Sequence, residues 1–138
     1  MTLQLEIVIP QKKILEDEAI DSVTLPGSEG ELGILPEHIP LMTTLDTGIL
    51  TYQKGSQHHA LAIHWGYAQV ERNRVTVLAE LAEKAEDIDL NRAEAAEKKA
   101  QETLRDHFGD EDPERQRQLK YESKLKRALV RQTVVKLK

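Results

Sequence analysis

The sequence predicts an all-β N-terminal domain of antiparallel strands, a sandwich or a barrel, followed by a C-terminal α-helical hairpin. Apolar and polar residues alternate up to about Glu80, which is the pattern of half-buried strands. Beyond Glu80 the alternation stops and Ala, Glu, Lys, Leu and Arg dominate, which are residues that favour helices. We therefore expect a strand domain of residues 1–84 and a two-helix hairpin of residues 85–138.

Four apolar runs mark strands within the first domain. Their members are Leu3, Leu5, Ile7 and Ile9; then Ala19, Val23 and Leu25, with Asp21 as a polar interruption; then Leu61, Ile63 and Trp65; then Val75, Val77 and Ala79. Arg72 and Asn73 lie between two such runs and predict a tight hairpin. Many short strands about ten residues apart are typical of an antiparallel sandwich or barrel.

Two helices are predicted in the second domain. The first has Asp89 as its N-cap and runs to about Asp106. Gly109 ends this helix, and Asp112 with Pro113 begins the second one. Small or apolar residues recur every three or four positions along the first helix, which allows close packing of the two helices: Ala93, Ala96, Ala100 and Leu104.

The second helix, from about Pro113 to Val135, presents three different surfaces. One apolar stripe consists of Tyr121, Leu125, Ala128 and Gln132, and the opposite stripe consists of Leu119, Val130, Val134 and Leu137. The basic line consists of Arg117, Lys120, Lys124, Arg127, Arg131 and Lys138. One helix cannot bury two opposed stripes against a single partner helix. The surplus surface is thus either a solvated basic face with frayed terminal hydrophobics or a contact surface for a partner.

Charge is distributed unevenly along the chain. The formal net charge is −5, but residues 113–138 carry nine Lys and Arg against two Glu, a net charge of +7, which leaves −12 on residues 1–112. An acidic body argues against general nucleic-acid binding, although the basic tail leaves a polyanion-binding module open as an alternative. Aromatic residues make up only 4% of the chain, so there is no platform on which bases could stack.

No motif for catalysis or metal binding is present in the sequence. The chain contains no GxxxxGK[ST], no GxSxG, no HExxH and no cysteine nucleophile. His58 and His59 are neighbours that would point to opposite faces of a strand, and carboxylates are missing at ligand spacing beside them. We therefore expect no catalytic residue and no metal site.

The compartment is suggested by what the sequence lacks. It has no cysteine, which fits a reducing environment. It also has no N-terminal secretion signal and no apolar run long enough to cross a bilayer. These features predict a soluble, intracellular protein.

The segment GSEGELGILPEHIP, residues 27–40, combines glycines spaced three apart with two prolines around a Glu-His pair. Glycine permits tight corners, and proline removes backbone freedom. No helix N-terminus follows to hold a phosphate, so turn geometry explains the glycines better than nucleotide binding does. The segment is expected to present its side chains on a stiff loop.

The chain resembles the epsilon subunit of bacterial-type F-type ATP synthases. The block GSEGELGILPEHIPLMTTLDTGIL carries most of the resemblance, and LEIVIP, VTVLAELAE and IDLNRAEAAEKKAQE extend it almost from end to end. The resemblance implies an N-terminal antiparallel β-sandwich of about ten strands, followed by the helical hairpin. It also implies a noncatalytic subunit.

The resemblance further implies a set of partners. The sandwich would join the gamma subunit to the ring of c subunits in the rotor that couples an ion gradient to ATP synthesis. The hairpin would either fold down on the sandwich or extend along gamma toward the alpha and beta subunits, where it would inhibit ATP hydrolysis. Such a subunit lies at the cytoplasmic face of the bacterial plasma membrane, reaches the membrane only through the complex, and binds no nucleic acid.

Site residues follow from the resemblance in three groups. Glu31 and His38 would contact the c-ring and gamma. A short motif for regulatory ATP, found in some members, matches Asp89, Arg92 and Ala93, although Lys99, Glu122 and Lys126 depart from the family pattern. The residues expected to contact acidic segments of the catalytic hexamer are Lys120, Lys124, Arg127 and Arg131.

Two further expectations concern the hairpin and one strand. With the hairpin folded down, the same basic residues are expected to pair with acidic residues of the first helix, which are Glu94, Glu97 and Glu102. Trp65 stands where the family usually has glycine, in a strand next to the expected gamma contact. A nucleotide-sensing module, which binds ATP independently of a rotor, is the second alternative function.

Overall fold

The computed structural model describes residues 1–107 and 115–137. Eight strands come first, where about ten were expected: β1 (Leu3–Val8), β2 (Lys13–Ile20), β3 (Ser22–Gly27), β4 (Gly30–Ile34), β5 (Leu41–Leu45), β6 (Gly48–Lys54), β7 (Gln57–Glu71) and β8 (Arg74–Lys84). A 3-10 turn, Ala85–Asp87, leads to helix α1 (Leu90–His107), and helix α2 (Arg115–Lys136) follows. The fold is the predicted β-sandwich followed by a helical hairpin.

The strands form one sheet that folds over itself. Its order is β2-β1-β8-β7-β5-β3-β4, and β6 pairs with both β3 and β7. The long strand β7 pairs with β6 along its first part and with β5 along its second part. All these pairs are antiparallel except β1 with β8, which is parallel and corrects the expectation of an entirely antiparallel domain.

The core is built from the strand domain alone. Its members include Leu3, Leu5 and Ile7 of β1, together with Val75 and Val77 of β8, which confirms two of the predicted runs. Arg72 and Asn73 both have positive φ, 52° and 60°, as a two-residue type I′ turn requires, so the predicted tight hairpin is confirmed.

Trp65 does not continue the buried run of Leu61 and Ile63. Its φ is +59°, and its side chain is 63% exposed. After this residue, even-numbered positions of β7 face inward, such as Ala68. A Cβ on Gly66 would lie 2.2 Å from the backbone oxygen of Leu78, so the two strands approach too closely here for any other residue. The chain bends at Trp65, so the alternation of inward and outward side chains along β7 reverses there.

The predicted run from Ala19 to Leu25 is also wrong as a single strand. Two strands, β2 and β3, meet at Asp21 instead. Ala19 has a φ of +59° and is exposed, whereas its neighbour Ile20 is fully buried. The positive φ turns the chain over, so that the side chain one position later enters the core.

The start of α1 matches the prediction. The backbone N–H of Arg92 donates to Oδ1 of Asp89 at 3.1 Å, which confirms Asp89 as the N-cap. The predicted helix end at Gly109 and the start at Asp112 and Pro113 lie outside the described residues. Small residues fill the contact between the two helices, where Ala93, Ala100 and Ala128 are buried.

Helix α2 lies between α1 and the sandwich, and this position accounts for its two apolar stripes. It contacts α1 on one side and β6, β7 and the 3-10 turn on the other. Val134, from the second stripe, is fully buried and lines a cavity with Leu15 and Tyr52 of the strands. Leu119 and Leu137 of the same stripe remain exposed. The sandwich therefore covers part of the surface that had been expected to be solvated or to contact a partner.

Candidate functional site

An apolar row crosses the outer face of the sheet. Thr44 of β5 is paired with Tyr67 of β7, Tyr67 with Leu78 of β8, and Leu78 with Val8 of β1. Trp65 lies beside this row, two positions before Tyr67 on β7. We call the surface formed by Val8, Thr44, Trp65, Tyr67 and Leu78 the outer groove; these residues are among those that line an open cavity of about 790 Å³.

The outer groove has the character of a protein contact surface. The side chains of Tyr67 and Leu78 are 59% and 53% exposed, although both are large and apolar. The charged residues Asp46 and Glu80 are also among those that line the cavity. A contiguous exposed apolar surface with a polar rim marks an interaction site more often than it marks a monomer surface.

Sequence reasoning missed Tyr67 and Leu78. A signal was nevertheless present in β8, where the outward positions should be polar and Leu78 alone breaks the series formed by Arg74, Thr76 and Glu80. Leu78 therefore adds an exposed apolar side chain to the outer face of a strand whose inward positions are also apolar.

The segment of residues 27–40, which we call the Gly/Pro/His block, contains the end of β3, all of β4 and most of the loop that joins β4 to β5. Glu31 is exposed at the start of β4, opposite Pro26 of β3. His38 is half-buried in the loop, with Nδ1 2.8 Å from the backbone oxygen of Ile39. The exposed apolar side chains of Leu35, Ile39 and Met42 accompany them.

Hydrogen bonds hold this block in place. The backbone N–H of Glu37 donates to Oδ1 of Asn73 at 2.6 Å. The N–H of Ser28 donates to the backbone oxygen of Thr44 at 3.0 Å, and the Thr44 hydroxyl donates to the Ser28 hydroxyl at 2.8 Å. Because Thr44 and Ser28 also line the outer groove, the block and the groove are joined through β5.

The predicted ATP motif lies in the first turn of α1. Oδ1 of Asp89 is engaged as the helix cap, Arg92 is exposed, and Ala93 is buried between the helices. The three residues are thus brought together by the helix start itself. Asp89 and Arg92 are both exposed, so the Arg92 side chain is the cation of this motif that is open to solvent.

The basic line of α2 divides between solvent and the sandwich. Lys120 and Lys124 are exposed, and Nζ of Lys124 lies 5.1 Å from the ring centroid of Tyr121. Arg127 is half-buried. Arg131 donates from Nε to Oε1 of Glu83 on β8 at 2.6 Å.

The expected pairing of this basic line with α1 is corrected at Arg131. The residue turns toward the strand domain because α2 lies between the two layers. On α1, Glu97 instead accepts a hydrogen bond from Gln132.

Glu83 is the centre of a polar cluster at the junction of sandwich and hairpin. Its Oε1 also accepts a hydrogen bond from Nε2 of His64 at 2.9 Å. His64 is one of the few buried polar residues of the described chain, and sequence reasoning did not single out either residue for a role. Burial by itself raises the pKa of the Glu83 carboxyl, but the hydrogen bonds from His64 and Arg131 outweigh it and hold the pKa below its usual value.

The lowered pKa of Glu83 predicts a pH dependence of folding stability. A carboxyl with a depressed pKa contributes stability that is complete above its unfolded-state pKa, about 4.3, and is lost as pH falls through the lower folded value. We expect Glu83→Gln to lower the free energy of unfolding by roughly 1–3 kcal/mol at pH 7. This difference from the wild type should shrink toward zero below about pH 4.

Urea unfolding from pH 7 to pH 3 measures this difference directly. Glu80→Gln is the matched control, because Glu80 is an exposed residue of the same strand. A difference between wild type and Glu83→Gln that stays constant over the whole range would contradict the assignment of the lowered pKa to Glu83.

Within residues 1–107 and 115–137, no three His, Cys, Asp or Glu side chains are grouped so that they could hold a metal ion. In the same part of the chain, neither helix has the length and apolar character needed to cross a membrane.

Known proteins similar to this chain agree on one family. A family model described as ATP synthase, Delta/Epsilon chain, beta-sandwich domain matches residues 2–85, and one described as ATP synthase, Delta/Epsilon chain, long alpha-helix domain matches residues 86–136. An ATP synthase epsilon chain from Geobacter metallireducens is 46% identical over 96% of this chain and 92% of the relative. The corresponding chain from Trichlorobacter lovleyi is 42% identical over the same shares.

Solved structures share the fold at lower sequence identity. A chain of the Euglena gracilis mitochondrial ATP synthase, in a structure of OSCP, F1 and c-ring, superposes with a TM-score of 0.80 at 22% identity, covering 99% of this chain and 82% of that one. A chain from the central stalk and c-ring of the Tetrahymena thermophila mitochondrial enzyme gives a TM-score of 0.61 at 13% identity, covering 98% and 97%. These two similarities concern the fold.

Proposed function

The chain belongs to the ATP synthase delta/epsilon chain family, and from this premise we propose that it is a noncatalytic subunit of the rotating central stalk. The sandwich joins the gamma subunit to the c-ring, so that ion flow through the ring drives ATP synthesis. The subunit works at the cytoplasmic face of the bacterial plasma membrane and reaches the membrane through the complex.

The outer groove is the observation that carries this proposal. It leaves Trp65, Tyr67 and Leu78 exposed on one face of the sheet. The hairpin packs against β6 and β7, and its Lys126 pairs with Asp46 at the rim of the groove, but these three side chains stay exposed. A sandwich that worked alone would gain nothing from three large apolar side chains in water. Their burial against the gamma subunit would supply a stable joint.

The Gly/Pro/His block has the stiffness that a torque-bearing contact needs. A Cβ on Gly27 would lie 2.6 Å from the backbone oxygen of Gly30, so this corner is closed as tightly as glycine allows. The hydrogen bonds of Ser28 and Glu37 fix both ends of the block to the sandwich. Glu31 and His38, presented from this support, would contact the polar loops of the c-ring and gamma.

The hairpin would regulate hydrolysis by leaving the sandwich and extending toward the alpha and beta subunits. In that state Lys120, Lys124, Arg127 and Arg131 would meet acidic segments of the catalytic hexamer. The folded-down state includes an exposed ion pair, Lys126 with Asp46 at 3.2 Å, and such pairs contribute only about 0.2–1 kcal/mol. A ligand or a partner that favours the extended state by a few kcal/mol would shift such a switch.

Assembly with and without the chain tests the rotor role. We expect ATP synthase complexes that lack it to lose attachment between gamma and the c-ring and to lose ion-driven ATP synthesis. The measurements are retention of the c-ring on the purified catalytic part and ATP synthesis by reconstituted vesicles. Normal synthesis and normal attachment without the chain would contradict the proposal.

Regulatory ATP is a second ligand proposal, favoured by the grouping of Asp89, Arg92 and Ala93 in one helical turn. We expect isothermal titration of the isolated protein with ATP to give heat of binding that Arg92→Ala reduces, because Arg92 is the exposed cation of the motif. Lys98→Ala, also exposed on α1, is the control. No heat at millimolar nucleotide would end both this proposal and the alternative of a nucleotide-sensing module.

A further inference from the structure

Glu83 ties the hairpin to the sandwich through Arg131. We propose that Glu83, positioned by His64, is a latch that holds α2 down by occupying Arg131, and that it thereby opposes inhibition of ATP hydrolysis. The second half of this inference rests on the proposed function, because it takes Arg131 as a residue that also contacts the catalytic hexamer. The latch itself rests only on the contacts at the junction.

Two polar contacts between the described residues of α2 and the sandwich differ in burial. The side chains of Glu83 and Arg131 are 22% and 26% exposed and meet at 2.6 Å. Those of Lys126 and Asp46 are 51% and 48% exposed and meet at 3.2 Å. Water screens the ion pair of Lys126 and Asp46 far more than that of Glu83 and Arg131. When one partner of a largely buried pair is removed, the remaining charge is left poorly hydrated. Of these two described contacts, the Glu83–Arg131 pair therefore contributes more to the attachment of α2.

His64 contacts the Glu83 carboxylate from within the sandwich. It lies on β7, its side chain is 5% exposed, and its Nε2 donates to the same carboxylate oxygen that Arg131 contacts. Its Nδ1 is buried and has no hydrogen-bond partner within the described part of the chain. A buried polar atom without a hydrogen-bond partner destabilises the fold. The role that we assign to His64, and that offsets this destabilisation, is to orient the Glu83 carboxylate toward α2.

The bond from His64 to Glu83 belongs to the sandwich and not to the hairpin. Both residues lie on the paired strands β7 and β8, where His64 is opposite Leu81 and Glu83 is opposite Ala62. It can therefore persist when α2 leaves, because no atom of α2 takes part in it. Glu83 then stays oriented to recapture Arg131, which makes the latch reversible.

Glu83 and the catalytic hexamer would compete for the single guanidinium of Arg131. Arg131 cannot contact Glu83 and the catalytic hexamer at the same time. Removal of Glu83 frees Arg131 and should strengthen inhibition of hydrolysis. Removal of Arg131 breaks the latch and also removes one of the inhibitory contacts, so it should not strengthen inhibition to the same extent.

Distance measurements on the isolated full chain test the latch. The chain contains no cysteine, so spin labels can be attached at Ser56→Cys, in the β6–β7 turn, and Ser123→Cys, on α2, both of which are exposed. We expect Glu83→Gln to raise the population with a long label-to-label distance about tenfold. Arg131→Gln should do the same, and the double variant should add little, because the two residues act as one contact.

Two further variants keep this experiment decisive. Lys126→Gln breaks the exposed pair and should leave the distance distribution nearly unchanged. Glu83→Asp keeps the charge but withdraws the carboxylate from Arg131, so it should lengthen the distances without loss of charge. Circular dichroism establishes that the sandwich remains folded. A distance distribution in folded Glu83→Gln and Glu83→Asp that equals the wild type overturns the latch.

Hydrolysis by the assembled complex separates the latch from the inhibitory role. We expect Glu83→Gln to lower the hydrolysis rate severalfold, and Arg131→Gln to leave it closer to the wild type. Longer distances combined with an unchanged hydrolysis rate would support the latch and contradict the inhibitory role. An unchanged distance distribution overturns the latch whatever the hydrolysis rate.

Discussion

Complexes assembled with a chain that lacks residues 113–138 are expected to hydrolyse ATP about fivefold faster than complexes with the full chain, or more. The deletion removes α2, which carries all four proposed inhibitory residues: Lys120, Lys124, Arg127 and Arg131. Under the proposed function, the extended, inhibiting state cannot form without them. Steady-state hydrolysis at saturating ATP, on complexes of matched subunit composition, measures the effect.

The truncated chain should still fold and still join the stalk. Every residue of the core cluster lies between Leu3 and Ala82, so the deletion removes no core side chain. The loss is confined to the surface that α2 covers, including the contacts of Arg131 and Val134. Circular dichroism and retention of gamma and the c-ring are the controls for this expectation. An unfolded truncated chain would show that the sandwich depends on the hairpin.

A milder variant separates the charges of α2 from its presence. Lys120→Ala with Lys124→Ala removes two exposed cations and leaves the described junction intact. If the cations meet acidic segments of the hexamer, this variant should recover part of the gain in hydrolysis. Unchanged hydrolysis in both the deletion and the double variant would refute the inhibitory role, while the rotor role would stand.

Local chemistry determined the elements that the sequence predicted well. The alternation of Leu3, Leu5 and Ile7, the turn at Arg72 and Asn73, and the cap at Asp89 each depend on residues within a few positions of one another. The positive φ of Ala19 and Trp65 does not depend on residues that are close in sequence. Neither residue favours that conformation, and it is imposed by strands that are distant in sequence, as is the parallel pairing of β1 with β8.

The same distinction applies to the candidate sites. Glu31 and His38 belong to a compact sequence block and could be named from it. The Glu83–Arg131 pair joins residues 48 positions apart, and no periodicity relates a strand end to the middle of a helix. The outer groove required knowledge of strand order, because Thr44, Tyr67, Leu78 and Val8 become neighbours only through three separate strand pairings.

Leu78→Glu is expected to detach the subunit from the gamma subunit. Leu78 lies in the middle of the apolar row, where a charge would be buried without a partner on binding. Central apolar contacts of this kind are worth about 2 kcal/mol or more, which corresponds to roughly a thirtyfold loss of affinity. Thr76→Glu is the matched control, because Thr76 occupies the next outward position of β8 and does not line the outer groove.

Binding of the purified chain to the gamma subunit, with thermal unfolding measured in parallel, decides between a lost contact and a lost fold. Leu78 is 53% exposed, so Leu78→Glu should leave the melting temperature nearly unchanged. Equal affinity for Leu78→Glu, Thr76→Glu and the wild type would exclude the outer groove as the contact.

Trp65→Gly extends this prediction because stability and affinity should respond differently. The φ of +59° at Trp65 is strained for tryptophan and free for glycine, but glycine also gains more conformational entropy in the unfolded chain. These two contributions oppose each other, so the free energy of unfolding should change by no more than about 1 kcal/mol. Affinity for the gamma subunit should nevertheless fall, because the substitution removes an exposed aromatic side chain from the outer groove. Retained affinity after Trp65→Gly would mean that Trp65 does not contribute to binding and that the partner contacts Tyr67 and Leu78. The strained φ at Trp65 would then be needed only for the bend of β7.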